Sequence, residues 1–181
     1  MSRMSIFAKL RGTIVGDTLA DWPPVETARL RIAPLQPADA RALQALTDDP
    51  AITGAVDFLP DRFGADDAAR LIRGARGRRD LFLGVHGESG LVGVIGTHLR
   101  SGRAVEIGYW VGGAARGRGY ATEAVGVVLN MLAKRFPRSH VVAECRPENG
   151  ASMGLLRKLG FRETGDEGHR PGRRLLVWER R

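Results

Sequence analysis

The chain has 181 residues, 43% of them hydrophobic, which is enough for one domain with a core and too few for two. The formal net charge is +8, and nearly all of the cationic residues are arginine. Such a charge suits anionic partners such as RNA, a ribosome surface or a nucleotide cofactor. An arginine-rich composition that reflects a GC-rich genome explains the charge equally well. The single cysteine excludes an internal disulfide framework and a cysteine-based zinc site. We find no run of eighteen apolar residues and no secretory signal pattern, so we predict a cytoplasmic protein without a membrane partner.

The N-terminal half begins with an arm. Residues 1–24 show no clear period and end in two prolines, so we predict that they form a partly mobile N-terminal arm. Residues 25–181 then form a single domain. Its first predicted elements are a strand over 29–34, a helix over 37–46 and a second helix over 65–75, with a loop-rich stretch between the helices.

The middle of the chain changes to a period of two. Residues 81–85, 91–97 and 104–111 read as apolar strands, and Gly87-Glu88-Ser89-Gly90 between the first two is a hairpin signal. These three strands are predicted to form an antiparallel meander.

The C-terminal part returns to a helical period at Tyr120, where the apolar stripe is the clearest in the chain. A buried strand over 140–145, a helix over 150–159 closed by Gly160, and strands over 161–164 and 175–178 follow. This order predicts a mixed α/β fold: a central, mostly antiparallel sheet of six to seven strands with helices on both faces.

A glycine-rich turn, residues 112–119, connects the strand that ends at Val111 with the helix that begins at Tyr120. Glycines allow a close approach of the backbone, and the unpaired amides and dipole of a helix N-terminus favour phosphate. Arg116 and Arg118 add positive charge. The spacing does not fit a dinucleotide-binding fingerprint, and the Gly-Lys-Ser/Thr of a P-loop is missing.

The turn resembles motif A of the GNAT acetyltransferases, Gln/Arg-x-x-Gly-x-Gly/Ala, with Arg116, Gly119 and Ala121 in its fixed positions. Further segments resemble the RimJ/RimL branch, in this order: Val25-Glu-Thr-Ala-Arg-Leu-Arg-Ile32, Glu106-Ile-Gly-Tyr-Trp110, Gly119-Tyr-Ala-Thr-Glu-Ala124, Asn149-Gly-Ala-Ser152 and Lys158-Leu-Gly-Phe161. The resemblance covers nearly all of the chain except the arm. It implies an acyltransferase that moves acetyl from acetyl-CoA to a primary amine.

The resemblance also implies the residues that bind the coenzyme. The pyrophosphate is expected on the backbone of Arg116, Gly117, Arg118, Gly119, Tyr120 and Ala121. The pantetheine arm is expected along Trp110 and Val111, where strands splay apart and leave backbone groups to pair, and Asn149 is expected to contact the coenzyme. A free N–H near Val111 would steady the oxyanion of the reaction. The four histidines show no ligand spacing, so we expect no metal.

Glu106 is the candidate base, because an amine must lose a proton before it attacks the thioester. Strand alternation places Glu106 beside a gap at Gly108, although a solvated strand carboxylate is the alternative. The branch implies that Ser152 donates to the leaving sulfur, since neither Tyr109 nor Tyr120 lies in the helix where many GNAT enzymes carry a tyrosine. The alternative is that Asn149 caps a helix with Ser152 at its third position.

The acceptor stays open between a protein N-terminal α-amine, which the branch favours, and a polyamine, amino acid or aminoglycoside. We expect Phe58, Leu59 and an Asp166-Glu167 loop to line the acceptor side of the site.

Cys145 is expected to be a packing residue in the core, and residues 169–174 are expected to form a solvated loop. A non-catalytic RNA- or ribosome-binding module and a coenzyme-binding protein without turnover are the alternatives; ribosome association and a homodimer are compatible with the sequence.

Overall fold

A computed structural model of the chain describes residues 18–74 and 78–180. The strands are β1 (Val25–Glu26), β2 (Arg31–Pro34), β3 (Asp80–Gly87), β4 (Gly90–Arg100), β5 (Ala104–Val111), β6 (His140–Cys145), β7 (Phe161–Glu167) and β8 (Arg174–Trp178). The helices are α1 (Ala40–Thr47), α2 (Pro50–Thr53), α3 (Ala65–Gly74), α4 (Tyr120–Arg135) and α5 (Gly150–Lys158), with 3-10 turns at Pro37–Asp39 and Gly113–Ala115. None of the helices in these ranges is long and apolar enough to cross a membrane.

The sheet contains eight strands in the order β1-β2-β3-β4-β5-β6-β8-β7. The pairs β1–β2, β2–β3, β6–β8 and β7–β8 are antiparallel, and β5 and β6 are parallel. The predicted mixed α/β class is confirmed, with one strand more than the predicted range. The additional strand is β1, whose two residues are too few to show an alternating pattern.

The described residues form two compact units. The first unit comprises Leu19–Gly96 and Tyr109–Val125, and the second comprises Thr18, 97–108 and 126–180. Whether 25–181 folds as a single domain therefore stays a prediction. Residues 1–17 of the predicted arm lie outside the described residues, whereas Leu19 and Trp22 at its end are buried in the first unit.

The first unit packs α1, α2 and α3 on the sheet. Its core joins Leu43 of α1, Ile52 of α2 and Ile72 of α3 to Val94 and Trp110 of the strands. Helix α2 lies in the stretch that the sequence predicted as loop, because four residues are too few for a helical period. Asp49 caps it, and Pro50 fixes its first turn.

The second unit packs the C-terminal part of the α4 stripe, Val128, Leu129 and Leu132, and the α5 residues Met153 and Leu156 in its core. Helix α5 ends at Lys158 and is capped by Leu159, and the following Gly160 has a φ of +94°, the left-handed conformation expected of a glycine just after a helix. The predicted strand over 161–164 continues as β7 to Glu167, so that Asp166 and Glu167 lie in a strand and not in a loop.

Candidate active site

The glycine-rich turn adopts a backbone that requires its glycines. Gly117 and Gly119 have φ angles of +75° and +77°, where a side chain would be strained. The 16-residue helix α4 begins directly afterwards at Tyr120. Its first amides have no partner within the helix and carry the positive end of the dipole. The turn therefore presents backbone donors at the place where the sequence predicts an anion site, and the anion itself stays a prediction.

The two arginines of the turn differ in their contacts. Arg118 is exposed. The guanidinium of Arg116 turns back onto the protein, where Nε donates to the carbonyl oxygen of Val111 and Nη2 donates to Asp49, each at 3.3 Å. Arg116 consequently fixes the start of the turn, so its predicted side-chain support for phosphate is not seen in this arrangement.

An apolar groove lies beside the turn within the first unit. Its wall is formed by residues of β4, β5 and α4: Val92 to Ile95, Tyr109 to Val111, Tyr120, Ala121, Ala124 and Val125. Gly93 allows the close approach of β4 to β5, because a Cβ there would lie 2.9 Å from the carbonyl oxygen of Trp110. The groove includes the two residues, Trp110 and Val111, that the sequence assigned to the pantetheine arm.

The side chain of Trp110 is committed to the core. Its indole N–H donates to Thr47 Oγ1 at 3.1 Å, and its ring packs edge-on to Phe58 with the ring centroids 6.2 Å apart. Phe58 is 50% exposed, whereas its neighbour Leu59 is 8% exposed. The sequence predicts that both residues line an acceptor site. Only Phe58 is at the surface and available for such a contact, because Leu59 belongs to the core.

Glu106 of β5 lies at the centre of a buried ionic cluster in the second unit. Its side chain is only 7% exposed, which excludes the solvated carboxylate that the sequence left as an alternative. Arg100 Nε donates to one of its oxygens at 2.7 Å, and Arg170 Nη2 donates to the other. Beside it, a Cβ at Gly108 would meet no atom within 4 Å, so the predicted gap is present.

Arg170 connects Glu106 to a second buried carboxylate, Glu144 of β6. Arg170 Nε donates to Glu144 at 2.9 Å, and the backbone N–H groups of His169 and Arg170 donate to it at 2.6 and 3.2 Å. We call Arg100, Glu106, Glu144 and Arg170 the carboxylate cluster. The connection between β7 and β8 is thus anchored through Arg170. His169, Pro171 and Gly172 are exposed as predicted for a solvated loop, so the prediction is corrected only for Arg170.

The carboxylate cluster keeps Glu106 ionised. Burial is the largest influence and acts to raise its pKa, but Arg170, Arg100 and then His98 together hold the pKa below the ordinary value of 4.5. Burial acts to lower the pKa of Arg170, and Glu106 and Glu144 outweigh it, so the pKa of Arg170 is raised and its charge is retained. A carboxylate with a lowered pKa is a weak proton acceptor while both arginines hold it.

Asn149 and Ser152 lie at the start of α5. Asn149 Oδ1 accepts from the Ser152 backbone N–H at 3.1 Å, which is the helix cap that the sequence gave as an alternative role. Burial raises the pKa of the nearby Cys145 thiol, while a hydrogen bond with the Ser152 side chain acts in the opposite direction. Cys145 is 3% exposed, in agreement with a packing role.

The sequence missed Arg100, Glu144 and Arg170 as partners of Glu106. One signal was present: Glu144 lies between the buried residues Ala143 and Cys145 of β6, and a buried acid needs a cation. The residues predicted to bind the coenzyme between Trp110 and Ala121 all lie in the first unit, whereas Glu106, Asn149 and Ser152 belong to the second.

Across the described ranges, no group of three His, Cys, Asp or Glu side chains could hold a metal ion.

Comparisons with known proteins agree with these features. The model of the GNAT acetyltransferase domain family matches residues 29–162. The uncharacterised N-acetyltransferase p20 of Bacillus licheniformis is 29% identical over 147 residues, which are 77% of this chain and 82% of p20.

Solved structures share the fold. A GNAT-family acetyltransferase from Bacillus anthracis superposes with a TM-score of 0.74 at 24% identity, covering 86% of this chain and 97% of that one. RimL, the ribosomal L7/L12 α-N-protein acetyltransferase in complex with coenzyme A, superposes with a TM-score of 0.74 at 18% identity. The superposition covers 86% of this chain and 96% of RimL. Because the family match spans most of its length, the chain belongs to the GNAT acetyltransferase family and is an acetyl-CoA-dependent acyltransferase.

Proposed function

We propose that the protein transfers the acetyl group of acetyl-CoA directly to a protein N-terminal α-amine of the ribosomal-protein type. The main observation in support of acetyl-CoA binding is the turn before α4, where left-handed glycines precede a long helix with unpaired amides at its start. A thioester donor with a diphosphate fits such a turn, because backbone N–H groups and the helix dipole both favour negative charge.

In this proposal, the backbone of Arg116, Gly117, Arg118, Gly119, Tyr120 and Ala121 binds the pyrophosphate. The exposed Arg118 adds charge at the same place. The pantetheine arm lies along Trp110 and Val111, and the apolar groove beside them supports this assignment. Asn149 contacts the coenzyme while it caps α5, since its amide oxygen accepts from the Ser152 backbone N–H and its NH₂ group is a separate donor.

Glu106 is proposed to take the proton of the acceptor through water rather than by direct contact. Its two oxygens accept from Arg100 and Arg170, and its lowered pKa makes it a weak base. The open space beside Gly108 is large enough at the backbone to admit a small group such as water.

Ser152 is proposed to donate its hydroxyl hydrogen to the coenzyme sulfur as the sulfur leaves. The Asn149 cap fixes the first turn of α5 and therefore the backbone that carries Ser152. The Ser152 side chain forms a hydrogen bond with the thiol of Cys145, the last residue of β6. Its proposed donation to sulfur follows from the family resemblance.

For the acceptor, the similarity to RimL favours a protein N-terminus, and the net charge of +8 suits association with the ribosome. Phe58 supports a peptide acceptor, because a half-exposed aromatic ring packed on Phe82 and Trp110 gives an apolar contact for a side chain. A homodimer and a cytoplasmic location belong to the same proposal.

The test is a thiol-release assay with acetyl-CoA and a panel of acceptors. The panel comprises peptides with varied N-terminal residues, the same peptides with a blocked N-terminus, polyamines, amino acids and aminoglycosides. We expect release with free N-termini and none with their blocked counterparts. Release with small amines alone would replace the acceptor by a small molecule. If coenzyme A does not raise Tm and RNA binds with steep salt dependence, the chain is a binding module instead.

A further inference from the structure

The segment between β1 and β2 reaches the glycine-rich turn through Arg29. Thr27 and Leu30 close the segment, with Thr27 N–H donating to the Leu30 carbonyl at 2.8 Å and Leu30 N–H donating to Thr27 Oγ1 at 2.9 Å. From this rigid bend, Arg29 Nε and Nη2 donate to Glu123 of α4 at 2.9 and 2.6 Å. Its guanidinium also lies over the Tyr120 ring, 5.0 Å from the centroid.

Arg29 makes a further bond to the turn itself. Its Nη1 donates to the carbonyl oxygen of Arg118 at 3.0 Å. Because the peptide is planar and trans, the N–H of Gly119 points to the side opposite that carbonyl, away from Arg29. A Cβ at Gly119 would lie 3.5 Å from Arg29 Nη2, so the guanidinium covers one side of the turn and leaves the amide directed to the other.

Glu123 gives Arg29 a second effect on the turn. A carboxylate in the first turn of α4 would repel a diphosphate. Thr27 Oγ1 donates to Glu123, and this hydrogen bond followed by the Arg29 contacts lowers the Glu123 pKa, so the carboxylate is ionised. Arg29 offsets that charge through two charge-assisted hydrogen bonds to Glu123 Oε2.

We propose that Arg29 is a positioning residue for the acetyl donor: it orients the Arg118–Gly119 peptide and neutralises Glu123, so that the turn can bind a diphosphate. This inference rests on the proposed role of the turn. It also gives a physical reason for the joint presence of two motifs that are distant in sequence, Val25–Ile32 and Gly119–Ala124, since Thr27 and Arg29 of the first contact Tyr120 and Glu123 of the second.

The test compares Arg29→Ala, Arg29→Lys and the control Arg31→Ala by calorimetric titration with coenzyme A. Arg31 is exposed on β2, and its removal changes the net charge by the same amount. We expect Arg29→Ala to raise Kd about tenfold and Arg31→Ala to change it less than about twofold. Arg29→Lys should recover part of the loss, because an ammonium keeps the charge but not the fork. In turnover, KM for acetyl-CoA should rise while kcat at saturation stays close to that of the wild type.

A second titration, with 3′-dephospho-coenzyme A, separates positioning from direct contact. A positioning role predicts the same loss with both ligands, since both keep the diphosphate. A loss confined to coenzyme A would show that Arg29 binds the 3′-phosphate and would overturn the inference.

Hydrogen exchange of the amides of Gly117 to Ala121, in protein without ligand, tests the same inference independently of the proposed function. Exchange should be faster in Arg29→Ala than in wild type or Arg31→Ala. Unchanged exchange together with unchanged Kd would overturn the inference. If wild-type protein fails to bind coenzyme A, the proposed function fails, and the exchange rates still decide whether Arg29 holds the turn.

Discussion

The glycine-rich turn of the first unit and the carboxylate cluster of the second unit contain similar charges in opposite arrangements. In the turn, Arg118 is exposed and the nearby acid, Glu123, is already paired with Arg29. In the cluster, Glu106 and Glu144 are buried and accept from Arg100 and Arg170. The turn is thus left electropositive and suited to an external anion, whereas the cluster satisfies its charges internally and fixes a loop and a carboxylate.

The largest expected effect is that of Gly119→Glu on the turn. The residue must adopt a φ of +77°, and its added carboxylate would repel a diphosphate. We expect coenzyme A binding to be lost by calorimetry. Gly119→Ala should weaken binding less, because it adds the strain of about 1 kcal/mol without the charge.

A matched control for Gly119→Glu is Gly74→Glu at the end of α3, where a Cβ would meet no atom within 4 Å. This variant adds the same charge and should bind coenzyme A as the wild type does. Binding that survives in Gly119→Glu would remove the turn from the coenzyme site and with it the contrast between the two regions.

Glu106→Gln should come next in size. The amide keeps the shape but cannot hold a proton, so we expect kcat to fall by about 10²-fold while Kd for coenzyme A stays unchanged. Steady-state kinetics with calorimetry checks both. Retained turnover would leave Glu106 with only a structural role in the carboxylate cluster.

Arg170→Ala should have a smaller effect, and one that depends on pH. The substitution leaves buried Glu106 and Glu144 without their shared cation. We therefore expect the free energy of unfolding to fall by about 2 kcal/mol at pH 7, a value moderated by the partial exposure of Arg170. The pKa of Glu106 is lowered in the folded state. Its contribution to stability is therefore fully present above pH 4.5, the ordinary pKa of the group, and disappears as the pH falls through the folded-state pKa. Wild type and variant should therefore converge in acid.

Thermal unfolding across pH measures that convergence, and the pH–rate profile gives a second measurement. Removal of Arg170 should raise the pKa of Glu106 and move the acidic limb of kcat to higher pH. Arg157→Ala is the control, since Arg157 pairs with Glu163 in the same unit but is 62% exposed. An equal loss in Arg157→Ala would show that the buried cluster is no stronger than a surface ion pair.

Ser152→Ala is expected to have the smallest effect of the four. The Asn149 cap accepts from the backbone N–H of residue 152 and persists in the variant, so α5 should remain stable. We expect kcat to fall about tenfold without a change in Tm, if the hydroxyl donates to sulfur. A loss of Tm with unchanged kcat would assign Ser152 to the helix start alone.

The sequence predicted the elements with long periodic patterns well and the short ones poorly. The hairpin at Gly87 to Gly90, the start of α4 at Tyr120 and the closure of α5 by the left-handed Gly160 are confirmed. Strand β1 and helix α2 were missed, because two and four residues give no measurable period. The exposed and buried members of a pair such as Phe58 and Leu59 could not be separated, since adjacent apolar residues look alike without the packed core.

The sequence alone determined the glycine-rich turn, because its conformation depends on residues adjacent in the chain and on the absence of side chains at Gly117 and Gly119. Only the tertiary structure decided the partners of Glu106 and of Glu123. Arg170 and Arg29 lie 64 and 94 positions away from them along the chain. Ion pairs between such distant residues leave no periodic or local pattern, since they form only when folding brings the strands, α4 and the connecting loops together.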